Sequence, residues 1–131
     1  MLALSKFKGA LSDFNRTIGT GKQLDKVYAS RALVFARLNK HGLAVVDYNN
    51  AIRFEPENAR LYYNRALSHI ASKDYQRALK ELDKSEQLDR NFSGAINHNR
   101  GVVFARLKLY DKSVVAFDHA IQLRCGQQSA T

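Results

Sequence analysis

Apolar and small residues recur three and four positions apart through most of this chain. A clear example lies in its first third, at Tyr28, Ala32, Phe35 and Leu38. The spacing is typical of amphipathic α-helices, because residues three and four apart lie on one face of a helix. Short polar segments separate the periodic stretches, and Pro56, the single proline, follows one of them, where it ends a helix at little cost. The pattern therefore predicts an all-α protein.

The same pattern repeats along the chain. The segment SRALVFARL at residues 30–38 has a near-copy, NRGVVFARL, at residues 99–107, and YYNRAL at residues 62–67 aligns between them. A fixed period of this size predicts a tandem array in which each unit packs against its neighbours. The offsets of 34 and 35 residues divide the chain into three full units, with Ser93 as one extra residue: 25–58, 59–92 and 94–127.

Each unit is predicted to contain two helices joined by a short polar turn. A half unit at residues 5–24 precedes the first full unit and supplies a second helix alone, over residues 5–18. No further helix is expected after Leu123. The predicted first helices span residues 26–38, 60–72 and 95–107, and the predicted second helices span residues 42–54, 76–88 and 111–123.

The repeat unit resembles the tetratricopeptide repeat (TPR), a 34-residue helix–turn–helix unit with small and aromatic residues at set intervals. The segment LYYNRALSHIASKDYQRALKELDKSEQLD at residues 61–89 is similar to a typical member, and the resemblance covers residues 5–127. It implies a right-handed α-solenoid, here a single TPR domain over residues 1–131. The departures concentrate in the third unit, which we expect to pack less tightly: Asn97 replaces an aromatic residue, Ser113 an alanine, and Cys125 a closing proline.

The resemblance also implies a function. In this family the first helices line a concave face that binds extended or helical peptides, so the chain is expected to be a non-catalytic protein-interaction scaffold. Asn64 and Asn99 could each bridge the donor and the acceptor of a peptide group, unless they merely cap their helices. The matching groove positions are Lys26, Ala29, Ser30, Leu33 and Arg37, then Arg60, Tyr63, Asn64, Leu67 and Ala71, then His98, Asn99, Val102 and Arg106.

The groove residues suggest the chemistry of the partner. Leu33, Tyr63, Leu67 and Val102 are apolar, and arginines surround them, which favours an amphipathic segment with acidic flanks. One subclass of the family clamps the acidic C-terminal tails of heat-shock chaperones with lysine, arginine and asparagine side chains. At those places this chain has Ala29, Leu33, Asn64, Ala95 and Asn99, so such a clamp is not expected.

Composition adds two alternatives. The net charge of +9 is compatible with RNA binding by a helical repeat. Such repeats need aromatic residues for base stacking, and Tyr63 is the only one among the groove positions, so nucleic acid is the less favoured partner. Without a closing helix after Leu123 or a partner helix before residue 5, the array could instead be a structural or engineered fragment. Its open ends could then assemble into a homo-oligomer through the terminal helices.

The sequence offers little for catalysis or cofactor binding. Metal-ligand spacings such as HxxxH, HExxH and CxxC are absent, so neither a metal nor another cofactor is expected. TGKQ at residues 20–23 lacks the first glycine and the hydroxyl residue of a phosphate-binding loop. Cys125, the single cysteine, is expected in a frayed tail and fits a reducing, cytoplasmic environment. No apolar run reaches the length of a membrane span.

Overall fold

A computed structural model describes the backbone of residues 2–129 and the side chains of residues 6–124. Within that backbone the chain is helical throughout, without a β-strand. A short 3-10 helix, Arg90–Phe92, precedes the sixth helix. The α-helices are α1 (Leu2–Thr20), α2 (Leu24–Arg37), α3 (His41–Phe54), α4 (Ala59–Ala71), α5 (Tyr75–Leu88), α6 (Ser93–Arg106) and α7 (Tyr110–Ser129).

Consecutive helices pack side by side as a stack of hairpins. The pairs α2–α3, α4–α5 and α6–α7 form the three hairpins, and each second helix also contacts the first helix of the next hairpin. Helix α1 packs on α2 in the way that α3 packs on α4. The prediction of an all-α solenoid is therefore confirmed.

The turns inside the three hairpins share one conformation. Asn39, Lys73 and Lys108 occupy equivalent places and have positive φ angles of 62°, 63° and 63°. The residue after each of them donates its backbone N–H to a carbonyl five positions earlier, for example Lys40 to Phe35 at 2.8 Å. This is the Schellman arrangement, which satisfies the last carbonyls of a helix and reverses the chain.

The C-terminal end differs from its prediction. Helix α7 was expected to end near residue 123 with a frayed tail, but its backbone stays helical to Ser129. The segment after Leu123 contains no proline, and its arginine and glutamines are good helix formers, so the helix continues. The side chain of Cys125, for which a frayed position was expected, lies outside the described residues.

The small residues of the repeat allow the helices of each hairpin to approach closely. Ala32, Ala66 and Gly101 are fully buried or nearly so at equivalent places on the first helices. At Gly101 an added Cβ would lie 2.6 Å from the ring of Phe117 on α7. The unexpected Ser113 is also buried, and its hydroxyl donates to the Gly101 carbonyl at 2.8 Å. The third unit thus accommodates a serine where the family has an alanine.

In each of the first two units one arginine links the two helices of its hairpin to the preceding helix. Arg31 on α2 donates to both carboxylate oxygens of the buried Asp47 on α3, each at 2.7 Å, and to Asn15 on α1 at 2.8 Å. Each such arginine therefore ties its own hairpin to the preceding helix. The same contacts recur 34 residues later: Arg65 with Glu81 and with Asn49, both at 2.7 Å.

The third arginine is paired differently. Arg100 on α6 donates to Asp83 at 2.7 Å and to Glu86 at 3.0 Å, and both acids lie on the preceding helix α5. In the hairpin of Arg100, the position equivalent to Asp47 and Glu81 is Ala116, which has no carboxylate. The acidic partner has thus moved from the same hairpin to the neighbouring one.

His69 takes a packing position that phenylalanine occupies in the other units. It is buried, 8% exposed, and its counterparts are Phe35 and Phe104. Burial lowers the pKa of the His69 imidazole below its ordinary value, and this outweighs the opposite effect of Asp74 and Glu81. The folded protein therefore holds this histidine in its neutral form at neutral pH.

This burial predicts a pH-dependent stability. Below about pH 6.5 the unfolded chain protonates His69 while the folded chain resists, so the free energy of unfolding should fall as pH falls. The variant His69→Phe carries the residue found in the other two units and has no imidazole to protonate. Its free energy of unfolding should therefore fall less than that of the wild type as pH falls. Urea denaturation of both proteins between pH 7.5 and pH 5 measures the effect. Parallel stability curves for the two proteins would contradict the prediction.

Candidate functional site

The three first helices α2, α4 and α6 carry all fourteen predicted groove positions. None of the fourteen side chains is fully buried, so each is available at the surface. Two hollows lie along this face, and seven predicted residues line them. The other seven lie on the same helices without lining either hollow: Lys26, Ala29, Ser30, Arg60, Ala71, Val102 and Arg106.

The first hollow lies between α2 and α4 and has a volume of about 180 Å³. Leu33 and Leu67 form apolar walls and are 42% and 36% exposed. His41, the first residue of α3, reaches the hollow while its Nε2 pairs with the Asn39 Oδ1 at 2.9 Å. The lining residues are Leu33, Ala36, Arg37, His41, Tyr48, Asn64, Leu67 and Ser68.

The second hollow lies between α4, α6 and α7 and has a volume of about 540 Å³. Its walls combine small and apolar residues with a polar rim. His98 contacts the ring of Phe117 edge to face, with ring centres 5.6 Å apart. The lining residues are Tyr63, Asn91, Gly94, Ala95, His98, Asn99, Phe117, Ala120, Ile121 and Arg124.

Asn99 is committed to contacts within the protein. Its amide nitrogen donates to the Tyr63 hydroxyl at 3.0 Å and to the Ala95 carbonyl at 2.9 Å, so both amide hydrogens are engaged. The Asn99 carbonyl oxygen can still accept, and the Tyr63 hydroxyl can still donate. The expected donor and acceptor are therefore present in the groove, but two residues share them. Burial raises the pKa of Tyr63, an effect that the hydrogen bond from Asn99 opposes.

Asn64 is not a helix cap either. It lies inside α4, whose N-cap is Asn58, and the Asn58 side chain accepts from the Arg60 backbone N–H at 3.1 Å. Asn99 lies well inside α6, which begins at Ser93. Neither asparagine therefore caps its helix, and Asn64 instead lines the first hollow.

The two hollows of the groove are lined by positively charged side chains and by no negatively charged ones. Arg37 contributes to the first hollow and Arg124 to the second, and no aspartate or glutamate is among the residues that line them. The first helices direct their repeated arginines Arg31, Arg65 and Arg100 elsewhere, into ion pairs with carboxylates. The hollows therefore present apolar walls beside uncompensated positive charge, which attracts acidic groups.

Several lining residues were missed by the sequence analysis. His41, Tyr48, Phe117, Ala120 and Ile121 come from second helices, whereas the groove positions were taken from first helices alone. The repeat register could have indicated them, because Tyr48 and Phe117 occupy equivalent places. Their depth in the groove depends on the helix crossing, which the register does not give.

Sequence comparison identifies the class of protein. The profile described as "TPR repeat" matches residues 32–72, and the profile described as "Tetratricopeptide repeat" matches residues 59–92. Together with the stacked hairpins, these matches confirm the resemblance. The chain belongs to the tetratricopeptide repeat family.

The relatives are much longer proteins. Human sperm-associated antigen 1 is 31% identical over 83 residues, which cover 63% of this chain and 9% of that protein. The wheat Hsp70-Hsp90 organizing protein is 30% identical over 83 residues, which cover 63% of this chain and 14% of that protein. The chain thus matches only a small part of each of these relatives.

Two solved structures show the same fold. MamA from Desulfovibrio magneticus RS-1 (residues 41 to the end) superposes with a TM-score of 0.87 at 16% identity, covering 95% of this chain and 70% of that one. The second TPR of Spaghetti (RPAP3), bound to the HSP90 peptide SRMEEVD, gives a TM-score of 0.70 at 24% identity. That match covers 79% of this chain and 95% of the other. At these identities the likeness establishes the architecture alone.

The described residues contain neither a membrane-spanning helix nor a metal-ligand cluster. No helix there is both long enough and apolar enough to cross a bilayer. No group of three or more histidine, cysteine, aspartate or glutamate side chains there is placed to hold a metal ion.

Proposed function

We propose that this TPR domain is a non-catalytic scaffold whose concave groove holds a segment of a partner protein. One observation carries the proposal: two hollows with apolar walls and cationic rims lie along the face formed by α2, α4 and α6. An apolar wall stabilises a partner through burial, while the rim guides and orients acidic groups. A partner segment with apolar anchors and acidic flanks fits both features.

Two contacts orient the segment in this proposal. The Tyr63 hydroxyl on α4 and the Asn99 side chain on α6 are joined by a hydrogen bond from the Asn99 amide nitrogen to that hydroxyl, which leaves the hydroxyl proton and the Asn99 carbonyl oxygen side by side. They offer one donor and one acceptor, which matches the carbonyl and N–H of a peptide backbone. Apolar side chains of the segment occupy the two hollows, and its acidic residues approach Arg37 and Arg124.

A displayed library of random 16-residue peptides tests the proposal. Selection against the protein should enrich apolar residues flanked by aspartate or glutamate. Arg37→Glu together with Arg124→Glu should weaken the selected peptides at least tenfold, and high salt should weaken them in the wild type. Arg53→Glu with Lys80→Glu, at exposed positions on second helices, is the matched control. Selection without enrichment, or equal losses in both variants, would reject the proposal.

The proposed groove differs from a chaperone-tail clamp. Ala29, Leu33 and Ala95 stand where that clamp has cationic or amide side chains, and none of them can pair with a carboxylate. The peptide SRMEEVD, which the second TPR of Spaghetti binds, is therefore a useful probe. We expect no saturable binding of it at micromolar concentrations by fluorescence polarisation.

RNA remains the competing ligand because of the net charge of +9. The ring of Tyr63 already stacks on Phe92, with ring centres 5.9 Å apart, so one of its faces is not free for a base. A gel-shift assay with single-stranded RNA at physiological salt separates the two ligand classes. Tight, salt-sensitive RNA binding that Arg37→Glu abolishes would favour the RNA alternative.

A further inference from the structure

The third repeat differs from the others at two positions, one on α6 and one on α7, that line the same hollow. Tyr28 and Tyr62 of the first two units correspond to Asn97. The acids that pair with the arginines in those units correspond to Ala116. Both replacements exchange a large side chain for a smaller one. They remove an aromatic ring and a carboxylate from the same part of the repeat.

In the first two units the aromatic ring and the arginine form a stacked contact. The Cζ of Arg31 lies 5.7 Å from the centre of the Tyr28 ring, and the Cζ of Arg65 lies 5.5 Å from the centre of the Tyr62 ring. The Nζ of Lys84, which is on α5, lies 6.0 Å from the centre of the Tyr62 ring. The Tyr62 ring therefore lies between two cations, one on α4 and one on α5, and the Tyr28 ring lies beside one.

In the third unit two hollows occupy the corresponding place. Their volumes are about 350 Å³ and 360 Å³, and Asn97 and His119 line both of them. His119 is the counterpart of Lys84, the residue beside the Tyr62 ring in the second unit. The space that a tyrosine ring takes in the second unit is thus open in the third.

The hollow of about 350 Å³ has lining residues suited to binding an aromatic ring. Phe104, Val115 and Ala116 give it apolar walls, Arg100 and Lys112 contribute cations, and Asp111 contributes one carboxylate. Arg100 is already paired with Asp83 and Glu86, so its positive charge is compensated without an anionic ligand in the hollow. A neutral ring can bury its apolar surface here and receive a cation–π contact.

We propose that this hollow, lined by Arg100, Phe104 and Ala116 among others, binds a tyrosine or phenylalanine side chain of a partner protein. The repeat itself identifies the occupant, because the other two units place a tyrosine ring there from their own sequence. No residue lines both this hollow and either hollow of the concave groove. The inference therefore stands independently of the proposed peptide groove, and the domain has a second, separate docking site.

The test uses 4-methylphenol, the analogue of a tyrosine side chain, with the ¹⁵N-labelled protein in solution NMR. Saturable amide shifts are expected at Arg100, Val115, Ala116 and His119, with a dissociation constant of about 1–10 mM for so small a probe. Isobutanol, an aliphatic probe, should bind at least threefold more weakly because it has no aromatic face for the cations.

Two variants fill the hollow from within. Asn97→Tyr with Ala116→Glu copies the second unit and should weaken 4-methylphenol binding at least tenfold. Ala116→Leu closes the same space with one apolar side chain and serves if the double variant does not fold. Val46→Glu, at a 54% exposed position on α3 that lines neither this hollow nor the concave groove, is the control and should bind the probe as the wild type does.

Three NMR results would overturn the inference. They are shifts that persist in both filled variants, isobutanol binding as tight as that of 4-methylphenol, and shifts confined to the concave groove. Dimerisation in sedimentation that both filled variants abolish would also overturn it, because a second copy would then be the occupant.

Discussion

Arg31→Met is expected to lower the free energy of unfolding by about 3 kcal/mol, the largest effect of any single change considered. The substitution leaves the carboxylate of Asp47, whose side chain is 2% exposed, without the guanidinium that holds both of its oxygens. A buried charge that loses its partner keeps its desolvation cost, whereas the loss of an exposed pair is offset by water. Urea denaturation monitored by circular dichroism measures the change.

Arg100→Met is the matched comparison. Its partners Asp83 and Glu86 are 61% and 30% exposed, so water can replace the lost contacts, and the expected loss is about 1 kcal/mol. Combining Arg31→Met with Asp47→Leu should restore much of the stability, since it removes the stranded carboxylate. Equal losses for Arg31→Met and Arg100→Met would show that burial of the acid does not govern these ion pairs.

Gly101→Ala is expected to destabilise the third hairpin by about 1–3 kcal/mol, although alanine is the better helix former. The new Cβ would lie 2.6–2.8 Å from three atoms of the Phe117 ring, which is closer than van der Waals contact allows. Either the ring must rotate or α6 and α7 must separate. Separation would also stretch the 2.8 Å hydrogen bond from the Ser113 hydroxyl to the Gly101 carbonyl.

Gly94→Ala, in the same helix, provides the control. An added Cβ there meets no heavy atom within 4 Å, so helix propensity decides the outcome, and the change should stabilise the protein by up to about 1 kcal/mol. Thermal unfolding of the two variants should therefore shift in opposite directions. A stabilising Gly101→Ala change would mean that Phe117 has room to move and that glycine is not needed for this helix contact.

The two variants also bear on the proposed functions. Phe117 lines the second hollow of the concave groove, and Gly101 fixes how closely it approaches α6. A scaffold recognises a partner through surfaces whose shape is set before binding, because a preformed site limits the ordering cost of association. Loosening this contact should therefore weaken peptide binding in the groove more than binding at the hollow beside Ala116.

The repeat register was readable from the sequence because a solenoid is built from local contacts. Small residues at Ala32, Ala66 and Gly101 recur where helices meet, and the resemblance to the TPR family placed the fourteen predicted groove positions on the first helices. Each unit contacts mainly its neighbours, so the period alone fixes the order of the helices. The departures at Asn97 and Ser113 also pointed to the third unit as the unusual one.

The partners of individual side chains could not be read in this way. Asn99 appeared to offer a donor and an acceptor, but the structure places Tyr63 of the previous repeat within hydrogen-bonding distance of it. Residues 36 positions apart meet there because of the angle between two packed hairpins. The hollow beside Ala116 is a similar case, since it depends on two replacements whose side chains converge only in the folded hairpin.

The sequence by itself determined the helical period and the tandem array, because the 3.6-residue turn and the recurring small residues act over short distances. Tertiary structure alone decided which acids pair with the repeated arginines, and that Asn99 donates a hydrogen bond to Tyr63. It also decided where hollows remain between the helices. These features depend on the crossing of helices and on the volume left between them. Such distances between separate units are set by the packing of the whole stack.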